Sequence, residues 1–249
     1  MEKPDYGNWV PLKYIYITGI LAVLFLLTTY IYSPIIVVSL ILFIITAYFA
    51  YARNKFSPEG GDIQSKIREL VLNNLNWHGN GRMIDIGCGN APLTINAAKR
   101  YPNALLTGID YWGGMWEYSI NVCKKNAEIE GVADRITFQK TTASDLPFKD
   151  GYFDAAVSNL VFHEVNDTKD KRDVIKEALR VVKKGGVFSF QDLFHDKRIY
   201  GDIEDLIETI RNWDIEKVEF LSTKDSEFIP GPLKLPFMVG TIGIIHGIK

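Results

Sequence analysis

Cysteine, net charge and polar side chains are each scarce somewhere that matters in this chain. Only two cysteines, Cys88 and Cys123, occur in 249 residues. Two thiols make no disulfide framework and are too few for a typical metal cage. No metal site is expected, and a reducing cytosolic setting suits the part of the chain that carries the two thiols. A basic excess is missing too: the formal net charge is −2 at pH 7. That excludes the global positive field expected of a nucleic-acid partner. No internal repeat or low-complexity segment is visible. The longest absence runs from Tyr14 to Ala52, where there is no Asp, Glu, Lys, Arg or His.

Within that stretch, Tyr14–Tyr32 is one apolar run and Ile35–Tyr51 another, split by Ser33-Pro34. As helices they would span about 28 and 25 Å, close to the hydrocarbon thickness of a bilayer. Tyrosines gather near the ends, at Tyr14, Tyr16, Tyr30, Tyr32, Tyr48 and Tyr51, as interfacial anchors do. Lys13 precedes the first run, and Arg53 and Lys55 follow the second. Two crossings put both flanks on one side, which the positive-inside rule makes the cytosol. A cleaved signal peptide fits poorly, because the apolar region is too long and has no small-residue cleavage site. A hairpin buried in a soluble protein would show a polar stripe, and none is present. A re-entrant hairpin stays open. The expected organisation is a membrane anchor over residues 1–52, with transmembrane helices at about 14–32 and 35–51. A linker follows over 53–62, then a catalytic domain over 63–249 that faces the cytoplasm. The protein would be an integral membrane protein with the lipid bilayer as a partner.

The stretch from Arg82 to Trp112 organises the rest. Met83–Ile86 suits a buried parallel strand. Gly87-Cys88-Gly89 follows, and two glycines allow a tight turn and close approach of a ligand. Asn90 is a candidate N-cap, with Pro92 in the first turn of a helix over Ala91–Tyr101. Pro102-Asn103 leads into a second strand, Ala104–Ile109, ending at Asp110. A carboxylate there can accept from both hydroxyls of a ribose. The third glycine of the dinucleotide fingerprint is missing, and Pro92 stands near its place, so NAD is the lesser reading.

D-I-G-C-G-N, with Asp110 at the next strand end, resembles the first two motifs of class I S-adenosylmethionine (SAM)-dependent methyltransferases. The resemblance covers about Ile63 to Lys249. It implies an α/β fold with a Rossmann-like seven-stranded sheet, mostly parallel with the last strand antiparallel, here preceded by the two membrane helices. It implies SAM as cofactor, with Asp85, Gly87, Cys88 and Gly89 on the methionine moiety and Asp110 on the ribose. Tyr111 would lie against the adenine. Trp112 and Trp116 are candidates for an apolar substrate pocket.

Arg135–Thr142 alternates as a third strand. The loop Thr142-Ala143-Ser144 after it resembles the family's adenine-binding loop. The family often has an acidic residue in the place of Thr142; here Asp145 comes three residues later, and backbone groups at Ala143 and Ser144 are available instead. The fourth strand, Asp154–Asn159, resembles the motif whose end faces the transferred methyl, which brings Asn159 to the cofactor. In relatives the following segment, Val161–Val165, lies over that mouth. Phe162 is therefore a substrate-contact candidate, and His163 and Glu164 are the candidate catalytic residues. An unperturbed histidine suits a base at neutral pH.

Further on, Thr168–Val182 reads as an amphipathic helix and Lys183–Gly186 as a turn into a fifth strand, Val187–Gln191. Ile203–Trp213 reads as a helix. Lys217–Leu221 and Met238–Ile248 read as the last two strands. Between them, the three-proline segment Phe228–Phe237 is a greasy loop that suits edge packing or contact with a bilayer.

The expected activity is methyl transfer to a hydrophobic small-molecule acceptor: a lipid, quinone, terpenoid or lipophilic thiol. The alternative is a membrane-tethered module that binds SAM or its product without transfer. Thr142 is the feature that favours the alternative.

Overall fold

A computed structural model describes residues 2–113 and 118–249. The chain forms two compact units. One is Gly7–Lys66; the other joins the segment ending at Tyr6 to Ile67–Lys249.

In the first unit, α1 (Leu12–Thr28) and α2 (Ile36–Phe56) flank a short 3-10 turn at Ser33–Ile35. Their lengths reverse the expectation. The first helix has 17 residues, about 26 Å, and the second has 21, about 32 Å. The first stops early because the hydroxyls of Thr28 and Thr29 bond back to the carbonyls of Phe25 and Leu26, and the chain then turns. The second continues through Arg53, Asn54 and Lys55, into the residues expected as linker. Arg53 is held there by the Val10 carbonyl at 2.6 Å, and its own carbonyl accepts from Asn8 at 3.0 Å. Among the described residues one helix, Ser33–Phe56, is long and apolar enough to cross a membrane, with mean hydropathy 2.5. The other, Leu12–Thr28, is a shorter apolar partner. The pair is joined by small and hydroxyl residues: Ser39 Oγ donates to the Ala22 carbonyl at 2.8 Å, and Thr46 donates to Thr18 at 2.8 Å.

The helix α3 (Ile63–Asn73) begins in the first unit and ends in the second, which continues as β1 (Gly81–Ile86), α4 (Pro92–Arg100), β2 (Ala104–Asp110), α5 (Ile120–Ile129), β3 (Ile136–Lys140), β4 (Phe153–Asn159), α6 (Lys171–Arg180), β5 (Val182–Asp192), α7 (Lys197–Tyr200), α8 (Ile203–Arg211), β6 (Lys217–Ser222) and β7 (Gly243–Ile248). Its strands form one seven-stranded sheet in the order β3-β2-β1-β4-β5-β7-β6. The first five are parallel, and β7 runs antiparallel to β5 and β6. This is the expected Rossmann-like sheet. Alternate residues go to opposite faces: Met83, Ala155 and Val157 pack with α4 and α5, and Ile84, Ile86 and Ala156 with α6 and α8. A sheet covered on both sides needs strands apolar on both faces, which is why β1 and β4 read as continuous runs.

Three local expectations fail. Asn90 does not cap α4; Ala91 holds the cap position in the left-handed region, at φ 66°. Lys183–Gly186 is not a turn before the fifth strand but part of it. The β4–β5 register shifts between Phe153 and Ala155, and the bulge takes up the Gly185-Gly186 pair. The last strand starts at Gly243, not Met238: Met238–Ile242 is folded into turns by bonds such as Val239 N–H to the Leu233 carbonyl.

Candidate active site

The sheet order reverses between β1 and β4, the place where open α/β sheets bind ligands. The glycine turn follows β1. Gly87 and Cys88 N–H both donate to the Ile109 carbonyl, at 2.8 and 2.9 Å, which folds the turn onto β2. Gly87 has φ +74°, and a Cβ there would stand 2.1 Å from Val161 Cγ2. Glycine is therefore required for the segment after β4 to close on the turn.

Asp110 is aimed by two backbone donors. Gly89 N–H bonds to Oδ2 at 2.9 Å, and Trp112 N–H bonds to Oδ1 at 2.8 Å. Each oxygen keeps lone-pair capacity for a second donor. The Gly89 carbonyl is held by Trp112 Nε1 and Cys123 Sγ, both at 2.9 Å. Asp85 is buried behind the turn and accepts from the Thr94 hydroxyl at 2.6 Å. Burial pushes its carboxyl up to about 7; the Thr94 bond opposes this, and the Asp110 charge adds to it.

The loop after β3 lies beside Asp110, since Thr141 N–H donates to the Asp110 carbonyl at 3.1 Å. Ala143 is buried, and the Thr142 and Ser144 hydroxyls are 2.9 Å apart. Thr142 also bonds to Asp167 Oδ2 at 2.7 Å. A carboxylate thus does stand at the Thr142 position, supplied from residue 167. Tyr111 is 66% exposed, with Lys140 Nζ over its ring. At the end of β4, Asn159 Oδ1 is buried and has no hydrogen-bond partner among the described residues.

His163 lies in a short 3-10 turn, Phe162–Glu164. Its Nδ1 is 2.6 Å from Oδ1 of Asp192, the fully buried last residue of β5. The other Asp192 oxygen accepts from Val161, Phe162 and His163 N–H at 3.0, 2.8 and 3.4 Å. One carboxylate therefore fixes both the backbone and the ring. A carboxylate partner puts the proton on Nδ1 and leaves Nε2 basic. Burial works against the charged ring, but Asp192, with Glu164, outweighs it and holds His163 above its ordinary value. Glu164 Oε1 is 3.7 Å from Nε2.

Phe162 corrects the expectation of substrate contact. It is fully buried and packs edge-on against Phe190, at 5.3 Å between centroids. Trp116 lies outside the described residues. Asp192 and Asp167 were missed, because nothing local in the sequence marks an acid as the partner of a residue 29 or 25 positions earlier.

Residues 84–190 match the methyltransferase domain family. That match spans less than half of the chain and, together with the sheet order, supports a class I SAM-dependent methyltransferase domain over this segment. SAM is the methyl donor of this family. The methyltransferase domain is 29% identical over 125 residues to a ubiquinone/menaquinone biosynthesis C-methyltransferase of Geotalea daltonii, covering 50% of each chain. It is 33% identical over 153 residues to the malonyl-acyl-carrier-protein O-methyltransferase of Geobacter sulfurreducens, covering 58% of this chain and 53% of the relative. The chain thus spans about half the length of the curated relatives it matches. In fold it is similar to geranyl diphosphate C-methyltransferase from Streptomyces coelicolor, with a TM-score of 0.57 and 15% identity, covering 77% of this chain and 81% of that one. It is equally similar to the cyclase SpnF, with a TM-score of 0.58 and 18% identity, covering 76% and 83%. The sheet alone therefore does not select the reaction.

The residues fit SAM. Its ammonium and ribose hydroxyls are donors, and this methyltransferase domain presents acceptors: the aimed Asp110 carboxylate and the orphaned Asn159 Oδ1.

Proposed function

We propose that this chain is a membrane-anchored methyltransferase acting on a hydrophobic small-molecule acceptor, with its catalytic domain on the cytoplasmic side. The observation that carries the cofactor half is the Asp110 carboxylate, held by Gly89 and Trp112 N–H at the strand ends. The apolar helices carry the acceptor half. Only 11% of the most apolar stretch of Ser33–Phe56 is buried, so that helix is not the core of a soluble fold. Anchoring raises the concentration of the site near lipid-dissolved molecules. The similarity to a quinone-biosynthesis methyltransferase supports an acceptor of that kind.

Bound SAM supplies a methyl group on a positively charged sulfur, already activated for in-line displacement. The chain must then hold, align and exclude water. Asp110 holds the ribose hydroxyls, the turn at Gly87–Gly89 and Asn159 hold the methionine end, and the loop at Thr142–Ser144 borders the adenine. Tyr111 is placed to flank the base, and Trp112 to border the acceptor. His163 Nε2 takes the proton that an O–H or N–H acceptor gives up, and the Asp192 charge stabilises the resulting imidazolium. Glu164 is the lesser base. Mass spectrometry of membrane lipid extracts, incubated with SAM and with or without the protein, tests this reading. A lipid-phase product heavier by one methyl is expected. Methylated product found only in the aqueous phase would overturn the acceptor assignment.

A further inference from the structure

The segment before the apolar hairpin does not trail into solvent. It belongs to the sheet unit and is bonded along α5. Glu2 pairs with Lys125. Asp5 N–H donates to Asn126 Oδ1 at 2.9 Å, and Asn126 Nδ2 donates back to the Asp5 carbonyl at 2.8 Å. Tyr6 donates to Glu130 Oε1 at 3.0 Å, and Glu130 is ion-paired with Lys99 of α4. The Tyr6 ring packs against the cluster that contains Cys88 and Ala91.

Asn126 joins this strap to the glycine turn. It is 1% exposed, and the same Nδ2 donates to the Asn90 carbonyl at 3.0 Å. Asn90 follows Gly89 directly. Its side chain accepts from Ser119 N–H at 3.3 Å, and Ser119 caps α5. One buried amide, with both of its N–H donors and its oxygen engaged, thus spans two segments lying 121 and 36 residues away from it in sequence. Tyr118, one residue before that cap, has its ring 3.4 Å from the point where a Cβ on Gly89 would stand. Burial pushes the Tyr118 hydroxyl up to about 12; Arg68 opposes this, and Glu164, Asp110 and Asp5 add to it. The strap and the ribose carboxylate therefore act on the same hydroxyl.

We propose that Asn126 and the N-terminal strap complete the cofactor site, so that SAM affinity depends on the residues immediately before the membrane hairpin. This rests on the reading that the glycine turn binds SAM. Segments outside the core elements are ordered only where something ties them down, because ordering costs conformational entropy. Here the tie is the amide that also fixes Asn90. A bound cofactor that holds the turn in place holds Asn126, and through it the strap; by linkage, the strap strengthens cofactor binding by the same factor. Asn126 is a positioning residue: it acts through the Asn90 carbonyl and touches no reacting atom.

The test uses the full chain in nanodiscs. SAM is titrated calorimetrically against the wild type, Asn126→Ala and a variant lacking residues 2–6. Hydrogen exchange at the Asp5 amide is followed with and without SAM. Each variant is expected to weaken SAM binding about tenfold, as the loss of one or two buried hydrogen bonds would. SAM should slow exchange at Asp5 in the wild type by a similar factor. Wild-type affinity in the strapless variant, with exchange at Asp5 indifferent to SAM, would overturn the proposal. The exchange measurement decides the matter even if Asn126→Ala fails to fold. A wild type that does not bind SAM at all would remove the cofactor reading first, and the strap's role with it.

Discussion

Isoleucine does opposite things in the two units. In the sheet, Ile84, Ile86 and Ile109 are wholly sealed from solvent. In the hairpin, Ile20 and Ile44 are 60% and 69% exposed. The sheet unit is held by apolar burial on both faces, at roughly 25 cal/mol per Å². The hairpin buries little and is joined by hydroxyl bonds and close backbone approach at Gly19, Ala22 and Ser39. Its outer surface stays apolar and exposed, which is the observation behind the proposed membrane anchor. The charge-free composition of Tyr14–Ala52 already separates the hairpin from the sheet unit, and the side the apolar atoms face separates them again.

Substitutions can break that contrast at several depths. The largest effect belongs to the sheet unit: Asp110→Ala should weaken SAM binding more than about a hundredfold, since two charge-assisted hydrogen bonds go together. Calorimetric titration reads it. Next comes the hairpin. Ile44→Lys should cost about 3 kcal/mol of membrane insertion, the penalty for a charge near a helix centre. A carbonate wash of membranes would show the variant in the soluble fraction.

Asp192→Asn should lower turnover about tenfold and move its pH profile. In the wild type His163 is held above its ordinary value, so the rate rises as the ring deprotonates. Without the Asp192 charge, burial lowers the ring's pKa and the acid limb shifts to lower pH. The stability carried by the charged ring is present at low pH and is lost as pH rises through the folded value. Asp85 has the same sign by a different route. Its folded value is about 7 against an ordinary 3.8, so the folded state keeps a proton that the unfolded chain releases. Stability should therefore fall between about pH 4 and 7, on the order of 4 kcal/mol, and Asp85→Asn should flatten that slope. Thermal melts across pH read it. The smallest effect is Ser39→Ala, which removes the bond to the Ala22 carbonyl and should cost about 0.6 kcal/mol of helix association, read by comparing wild type and variant in a detergent unfolding titration.

How much of this was legible depended on distance along the chain. The glycine turn and Asp110 are legible because strand, turn, helix and strand follow one another within thirty residues, each with its own periodicity. The pairing of His163 with Asp192 is not, because only the sheet order brings the ends of β4 and β5 together. Asp167 beside Thr142 is hidden for the same reason. Gly185-Gly186 misleads because a glycine pair signals a turn, and a bulge uses the same freedom inside a strand. Met238–Ile248 misleads differently: an apolar run carries no mark of where turn gives way to strand. The early end of α1 was within reach, since paired threonines before Ser33-Pro34 favour a stop.

The strap has a consequence for how the chain is made. Its first residues leave the ribosome long before α5 exists, yet they finish bonded to Asn126, Lys125 and Glu130. They can take their seat only once α5 has folded, so the strap closes as a late-formed joint between segments made far apart in time.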